Sequence, residues 1–468
     1  MGKKEKNPGE GATHSTSGVR TLLGNPRQAI IKLSLPMIVA MSVQTLYNFV
    51  DALWVSGLGP DALSAVGFFF PFLFMLMALA TGLGVGGSSA VSRRIGAKDK
   101  GGADEVASHT IVLMLLLASA VTIPFFWLAP HIFRFMGAGP ITPTATHYAR
   151  ILFAATIIIF FANVANALLR GEGDVKRAMY AMMLGAGLNI ILDPIFIFVF
   201  KLGVAGAAWA SVFSLFISGS FLFYWLILKK DSYVQIKLRN FGFKRIIIYD
   251  ILRVGIPSSI QQLAMAFSVF ILNIIAVKVG GTDGVAVLTT GWRVTMFAIV
   301  PLIGMATAVT SVTGAAYGGQ DYQKLNEAYL YAIKIGVLLE VAVAALTFVL
   351  APYIAALFTL TKEGLRIRAD LIVFLKTMCF YYPMTSLGML SSAMFQGIGK
   401  GLYSLTVTVI RTIILAAPLS YIFAVVIMNN LAGVWWGVVA GNVIGALVAF
   451  LWGRHFVHSL FKAEVPVS

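Results

Sequence analysis

Residues 82–105, GLGVGGSSAVSRRIGAKDKGGADE, return 222 positions later as residues 304–327, GMATAVTSVTGAAYGGQDYQKLNE. In that register Gly82 falls on Gly304, Ser89 on Ser311, Gly96 on Gly318, Asp99 on Asp321 and Glu105 on Glu327. Repeats of this kind set an architecture before any single element does. At neighbouring offsets Pro36 pairs with Pro257, LRGEGD at 169–174 with FQGIGK at 395–400, and the GV at 203–204 with the GV at 433–434. The chain reads as two matched halves.

Composition says what each half is made of. Of 468 residues, 59% are hydrophobic and only 12% charged, and the mean hydropathy is +0.87, whereas soluble domains are about half apolar. Long apolar runs, each reaching the roughly 20 residues that cross a hydrocarbon core as a helix, lie at 31–57, 62–92, 108–130, 148–169, 178–200, 204–228, 254–277, 285–314, 328–351, 371–395, 403–428 and 433–453. The expectation is an all-α integral membrane protein with twelve transmembrane helices in two pseudo-symmetric six-helix bundles. A soluble enzyme is excluded, and a β-barrel would show short alternating segments. The single cysteine, Cys379, excludes a disulfide framework and a multi-cysteine metal centre. Because six is even, both halves enter the membrane from one side, as parallel repeats about an axis along the membrane normal. The cleft between them is the natural place for a transported molecule.

The net charge of +16 is explained by where the basic residues sit. Loops on the N-terminal side hold sixteen of them: Arg93, Arg94, Lys98, Lys100, Arg170, Lys176, Arg177, Lys229, Lys230, Lys237, Arg239, Lys244, Arg245, Arg253, Lys324 and Lys400. The opposite loops hold seven, so both termini are expected in the cytoplasm of a multi-pass cell-membrane protein. The reading of domains is 1–25 as a flexible tail with Lys3, Lys4, Lys6 and Arg20, 26–228 as the first bundle, 229–250 as a cytoplasmic linker, 251–456 as the second bundle and 457–468 as a tail. The linker's charge suits the inner membrane surface, not nucleic acid. Gly82, Gly84, Gly86 and Gly87 lack the strand and the Gly-Lys-Ser/Thr of a phosphate loop and suit close helix packing. With no nucleotide motif, an ion gradient remains as the energy source, and no cofactor is expected.

Ionisable residues within spans are expensive and are functional candidates by default. Gln44, Tyr47, Asn48 and Asp51 occupy i, i+3, i+4 and i+7 of the first span, one helical face. In the fifth, Asn189 and Asp193 share a face, and Pro194 cannot donate to the Ile190 carbonyl, which leaves an oxygen beside the carboxylate. Such a group suits a small cation. Asn163 and Asn166 in the fourth span and Ser211 in the sixth are placed to line the same cavity. Asparagine would serve as helix glue without a buried charge, so two aspartates in one half argue for titration or cation binding. Arg293, Lys334, Glu340 and Arg411 also fall within spans and are read as structural. The six histidines, His14, His109, His131, His147, His455 and His458, fall in tails, loops or helix ends, which disfavours a buried histidine metal site. Pro36 and Pro257, at equivalent early positions, are candidate hinges.

Together, PMIVAMSVQTLYNFVDALWVSGLG (36–59), GLGVGGSSAVSRRIGAKD (82–99), LLRGEGD (168–174) and NIILDPIF (189–196) closely resemble the multidrug and toxic compound extrusion (MATE) family, and most closely its archaeal members. The resemblance covers about residues 22–456. It implies a secondary antiporter that expels amphipathic, mostly cationic compounds in exchange for H⁺ or Na⁺ by alternating access, acting as a monomer on small drug-like substrates within the lipid bilayer. Carried over, it gives the ion-coupling set Asp51, Asn189, Asp193, Ala207 (through its carbonyl) and Ser211, and drug-contact positions Gln44, Tyr47, Asn166 and Met182. Two departures stand out. Close relatives carry threonine where Ser211 stands, and the acidic ligands that another branch carries in its seventh and tenth helices are missing from 254–277 and 371–395.

The alternative within the same superfamily is a flippase for a lipid-linked sugar or lipid. Its phosphates call for a positive cleft, whereas the inward stripe here is acidic and amide-rich. A membrane-embedded acyltransferase would need a histidine with a carboxylate or serine partner inside the bilayer, and no histidine is placed to serve. A channel would need a symmetric ring of pore-lining groups.

Overall fold

The computed structural model describes residues 16–229, 231–239, 241–360 and 362–464. Lys3, Lys4, Lys6, His14 and Lys230 lie outside the described residues. Among those described, all regular structure is helical.

Twelve spans run in order: α1 Pro26–Ser56, α2 Pro60–Gly96 and α3 Lys100–Phe135; α4 as Thr142–Ala154 and Thr156–Gly171, bent by 47°; α5 Val175–Pro194 with a π turn Ile195–Val199; α6 Val204–Phe223 with a π turn Tyr224–Leu228. In the second half one continuous run, Arg245–Gly318, divides at Gly281 (φ 57°, ψ −146°) into α7 (245–280) and α8 (282–318). Then follow α9 Tyr322–Phe358, α10 as Arg368–Met378 and Tyr381–Gly397, α11 from Gly401 to Ile427 and α12 Leu431–Glu464.

Local chemistry starts these helices. Asn25 accepts from the Arg27 and Gln28 amides ahead of Pro26 at the first helical position, and Asp99, Asp174 and Asp321 cap α3, α5 and α9 by accepting from Gly102, Arg177 and Lys324 amides.

The duplication is written in the backbone. Positive φ recurs at repeat-related positions: Gly59 and Gly281, Lys98 and Gln320, Gly173 and Gly399. Contacts between the halves recur as well. Ser89 Oγ donates to the Gln396 carbonyl at 2.5 Å, and its counterpart Ser311 Oγ donates to the Arg170 carbonyl at 2.9 Å. At the end of α2 a Cβ on Gly96 would lie 1.8 Å from the Ala315 carbonyl oxygen, and one on Gly318 would lie 1.9 Å from the Arg93 carbonyl oxygen. Ala315 and Gly318 are the repeat partners of Arg93 and Gly96, so the pseudo-twofold axis passes through this crossing of α2 and α8. Only side-chain-free residues permit so close an approach.

These inter-half contacts gather on the side that carries both termini. Buried apolar side chains form one cluster through the first half and into the termini-side part of the second, with Leu302, Met305, Val309, Leu390 and Met394. The far side of the second half has a separate cluster around Leu272, Leu288, Phe374 and Trp435. The halves share a buried core at the termini side and have separate cores at the far side.

Three boundaries differ from expectation. Ser17–Leu23 is a helix, not tail, with Thr16 capping it and Leu22 fully buried. The linker ends at Lys244, where α7 begins. Helix α12 continues to Glu464, past the expected end of the bundle at 456. In each case an apolar face continues past the run that hydropathy marks as a span.

Candidate functional site

Helices α1, α5 and α6 bring the two aspartates together. The Asp51 and Asp193 carboxyls lie within hydrogen-bonding reach of each other. Two carboxyl groups can bond to each other only with a proton between them, so a single shared proton is what would join these two acids. Asp193 is completely buried and Asn189, one turn earlier, is 2% exposed. The hydrogen-bond pattern orients the Asn189 amide with its NH₂ donating to Asp193 Oδ2 at 2.7 Å and its oxygen accepting from Ser211 Oγ at 3.1 Å. Tyr47, one turn before Asp51, places its hydroxyl near that of Ser211. Asp51, Asp193, Asn189, Ser211 and Tyr47 therefore form one polar chain across three helices.

The local backbone suits this. Pro194 leaves the Ile190 carbonyl without its helical donor, and α5 widens directly afterwards into its π turn. Beyond the acids, Val55, Ile197 and Ala207 form a small apolar cluster with Trp54, Leu58 and Val66 packed on it. Ala207 lies one turn before Ser211, buried in this cluster.

The other sequence-derived residues divide. Gln44 is half-buried, while Asn48 is exposed, off the buried face of α1. Asn163 donates to the Ile159 carbonyl of its own helix at 2.9 Å. Asn166 donates to the Ala178 carbonyl of α5 at 2.8 Å and accepts from Arg170, so its amide ties α4 to α5. Met182 is half-buried against the core of the first half. Pro36 and Pro257 both sit inside continuous helices. Of the charged residues read as structural, Arg293 and Lys334 are exposed, while Glu340 and Arg411 are buried at 0% and 6%.

Sequence reasoning missed Tyr148. From the first segment of α4 it lies within electrostatic reach of Asp51, Tyr47 and Asp193, and its ring packs edge-on against Phe69 with centroids 5.5 Å apart. It also missed the docking of the linker. Val234 N–H donates to Glu172 Oε2 at 2.7 Å, Gln235 N–H to Asp104 Oδ1 at 2.8 Å, Lys237 N–H to Ser108 Oγ at 2.9 Å and Lys244 N–H to His109 Nε2 at 3.0 Å. His109 is thus not at a helix end but within α3 and buried, its ring occupied by the linker. Among the described residues no three His, Cys, Asp or Glu side chains converge as a metal cluster.

Against known proteins, the family profile described as MatE matches residues 36–195 and 257–422. The chain is 26% identical over 436 residues to Multidrug export protein MepA of Staphylococcus aureus (strain MSSA476), across 91% of this chain and 92% of that protein. The solved structure of a MATE in complex with MaL6 superposes with a TM-score of 0.94 at 52% identity, covering 96% of this chain and 100% of that one. An outward-facing multidrug resistance MATE family transporter of the MOP superfamily gives 0.93 at 52% identity, covering 96% and 99%.

Proposed function

This chain belongs to the MatE family of membrane transporters, and from that premise we propose that it is an antiporter exporting amphipathic, mostly cationic compounds in exchange for protons. It is a transporter of a multidrug efflux family and not an enzyme. The observation that carries the antiport reading is the approach of the Asp51 and Asp193 carboxyls to within hydrogen-bonding reach of each other. A cationic drug near the pair competes with the proton for the same negative charge, and mutual exclusion of two ligands is the coupling an antiporter requires. Two carboxylates, the Asn189 amide, the Ser211 hydroxyl and the backbone near Ala207 also form an all-oxygen set, so Na⁺ competes with H⁺ for it. Gln44, Tyr47, Asn48, Asn163, Asn166 and Met182 belong to the surrounding drug-facing wall in this reading, with Asn166 acting chiefly as the tie between α4 and α5.

The bias of basic residues to the loops on the termini side supports a cytoplasmic location for both termini, and the shared core on that side supports an outward-facing reading. Alternating access follows from rocking of the bundles 26–228 and 251–456, joined by the cytoplasmic linker, with Pro36 and Pro257 permitting α1 and α7 to bend. The molecule acts as a monomer, since the cleft lies within one chain. An inward ion gains about 2.3 kcal/mol per charge per 100 mV, enough for one ion to sustain a useful drug gradient.

The test is efflux of ethidium from proteoliposomes under an imposed pH gradient and, separately, an imposed Na⁺ gradient. Gradient-dependent movement that Asp51→Asn and Asp193→Asn abolish is the expected result. Wild-type efflux in both variants would remove the shared-site reading, and translocation of a lipid-linked sugar without dye movement would replace antiport by flipping.

A further inference from the structure

The second half holds an acid of its own. Glu340, midway along α9, is wholly buried, and neither carboxyl oxygen has a hydrogen-bond partner among the described residues. Three fully buried hydroxyl-bearing residues, Tyr382, Thr295 and Ser386, lie on the helices packed beside it. Tyr382 of α10 lies within electrostatic reach of the carboxyl and directs its hydroxyl toward Thr295 of α8, without completing a bond of good geometry. Ser386, one turn from Tyr382 on the same face, also has an unpartnered oxygen. Gly336, one turn before Glu340, holds α9 against it, since a Cβ there would lie 3.4 Å from Ser386 Cβ. The Thr295 hydrogen is already given to the Gly291 carbonyl at 3.1 Å.

No cation balances this acid. On α8 the nearest charged residue in sequence, Arg293, is exposed; on α9 Lys334 is exposed; on α10 Lys376 stacks on Phe348 at 5.2 Å. Arg411 lies on the opposite face of α10, beside Gly388 and Gly445. The other titratable groups near the Tyr382 ring are Cys379 and Tyr381, both on α10. A carboxyl among hydroxyls that can both donate and accept, with no positive partner, has the chemistry of a proton site rather than an ion pair. The duplication sharpens the point. The repeat position of Glu340 in the first half is Ala118, fully buried, so packing alone is satisfied there by a methyl group, and a membrane-buried acid without such a need is a functional candidate.

We propose that Glu340, with Tyr382 and Thr295, is a second proton-binding site in the C-terminal half, separate from the Asp51–Asp193 pair and loaded and emptied in the same transport cycle. This rests on the proton-antiport reading above. Thr295 belongs to α8, the helix that crosses α2 at the pseudo-twofold axis, so rocking of the halves moves one wall of the site and exposes the acid.

The experiment measures protons moved per ethidium from the pH gradient that just halts ethidium flux in proteoliposomes of the full chain. Wild type should carry about one proton more per ethidium than Glu340→Gln, which retains shape and amide hydrogen bonding. Tyr382→Phe, which removes only the hydroxyl that lies within electrostatic reach of the carboxyl, should shift the pH midpoint of transport. An unchanged proton ratio in Glu340→Gln, or an unchanged midpoint in Tyr382→Phe should the first variant not fold, overturns the proposal. Wild-type flux indifferent to the pH gradient would instead overturn the antiport reading on which it stands.

Discussion

At the scale of residues, the coupling site is a question of which oxygen faces which. Asp51 and Asp193 were legible because carboxylates in apolar spans stand out, and Asn189 because helical spacing places it on the face of Asp193. Tyr148 was not, since an aromatic at the start of an apolar span carries no periodic or charge signal. Asn166 was legible as polar, but its bonds to the Ala178 carbonyl and Arg170 were not, because an amide inside a bundle can serve either a ligand or a neighbouring helix's carbonyl, and sequence spacing does not distinguish these. Two expectations follow. Ser211→Ala removes the hydroxyl near Tyr47 and Asn189 and should weaken ion competition with bound drug roughly tenfold, about the value of one hydrogen bond to a charged site, whereas Ser211→Thr should restore it; displacement of ethidium by acid or Na⁺ measures this. Asn166→Ala leaves the Ala178 carbonyl and Arg170 without their partner and should lower the melting temperature, at a cost of about 1–3 kcal/mol, while the ethidium affinity of the folded fraction stays within twofold by titration.

At the scale of elements, the linker proves to be a docked strap. Its basic composition placed it on the inner surface, but its attachment runs through backbone N–H groups that any sequence supplies, so composition carried no sign of it. The anchor Glu172 is wholly buried, and that burial pushes its carboxyl up to about 8, against the lesser opposing pull of the Val234 N–H, with Asp174, Arg177 and Lys100 as further charged neighbours. In an undocked strap the carboxyl would titrate at its ordinary value near 4.5. The docked form therefore binds the proton more tightly. Its added stability is complete below about 4.5, falls as pH rises, and is gone above about 8. A spin label at Leu238, which is exposed, should gain mobility across that window in wild type, and Glu172→Gln should flatten the profile. Mobility that does not change with pH in wild type would contradict this account of the strap.

At the scale of the whole molecule, the repeat legible as five identities became a pseudo-twofold crossing of α2 and α8. Sequence showed that Gly96 and Gly318 correspond. Only the three-dimensional arrangement shows that each meets the backbone of the other half, because the distance between halves is a property of neither. In the proposed rocking cycle that crossing is the point where the halves close on the termini side. Since a Cβ at either glycine would fall within 2 Å of a carbonyl oxygen, Gly96→Ala or Gly318→Ala should wedge the halves apart on the termini side. Distances between spin labels across that side should lengthen, and those across the far mouth should shorten. Cysteines cross-linked across the far mouth should likewise arrest transport until reduced.

The central claim is that drug and proton exclude each other at the Asp51–Asp193 pair, and proton release on drug binding tests it most directly. In weakly buffered detergent solution with a pH indicator, saturating ethidium should release about one proton per wild-type molecule, since a single shared proton would join the two acids, and none from Asp51→Asn or Asp193→Asn. Ethidium binding to wild type without proton release, or an equal release from both variants, would contradict the account.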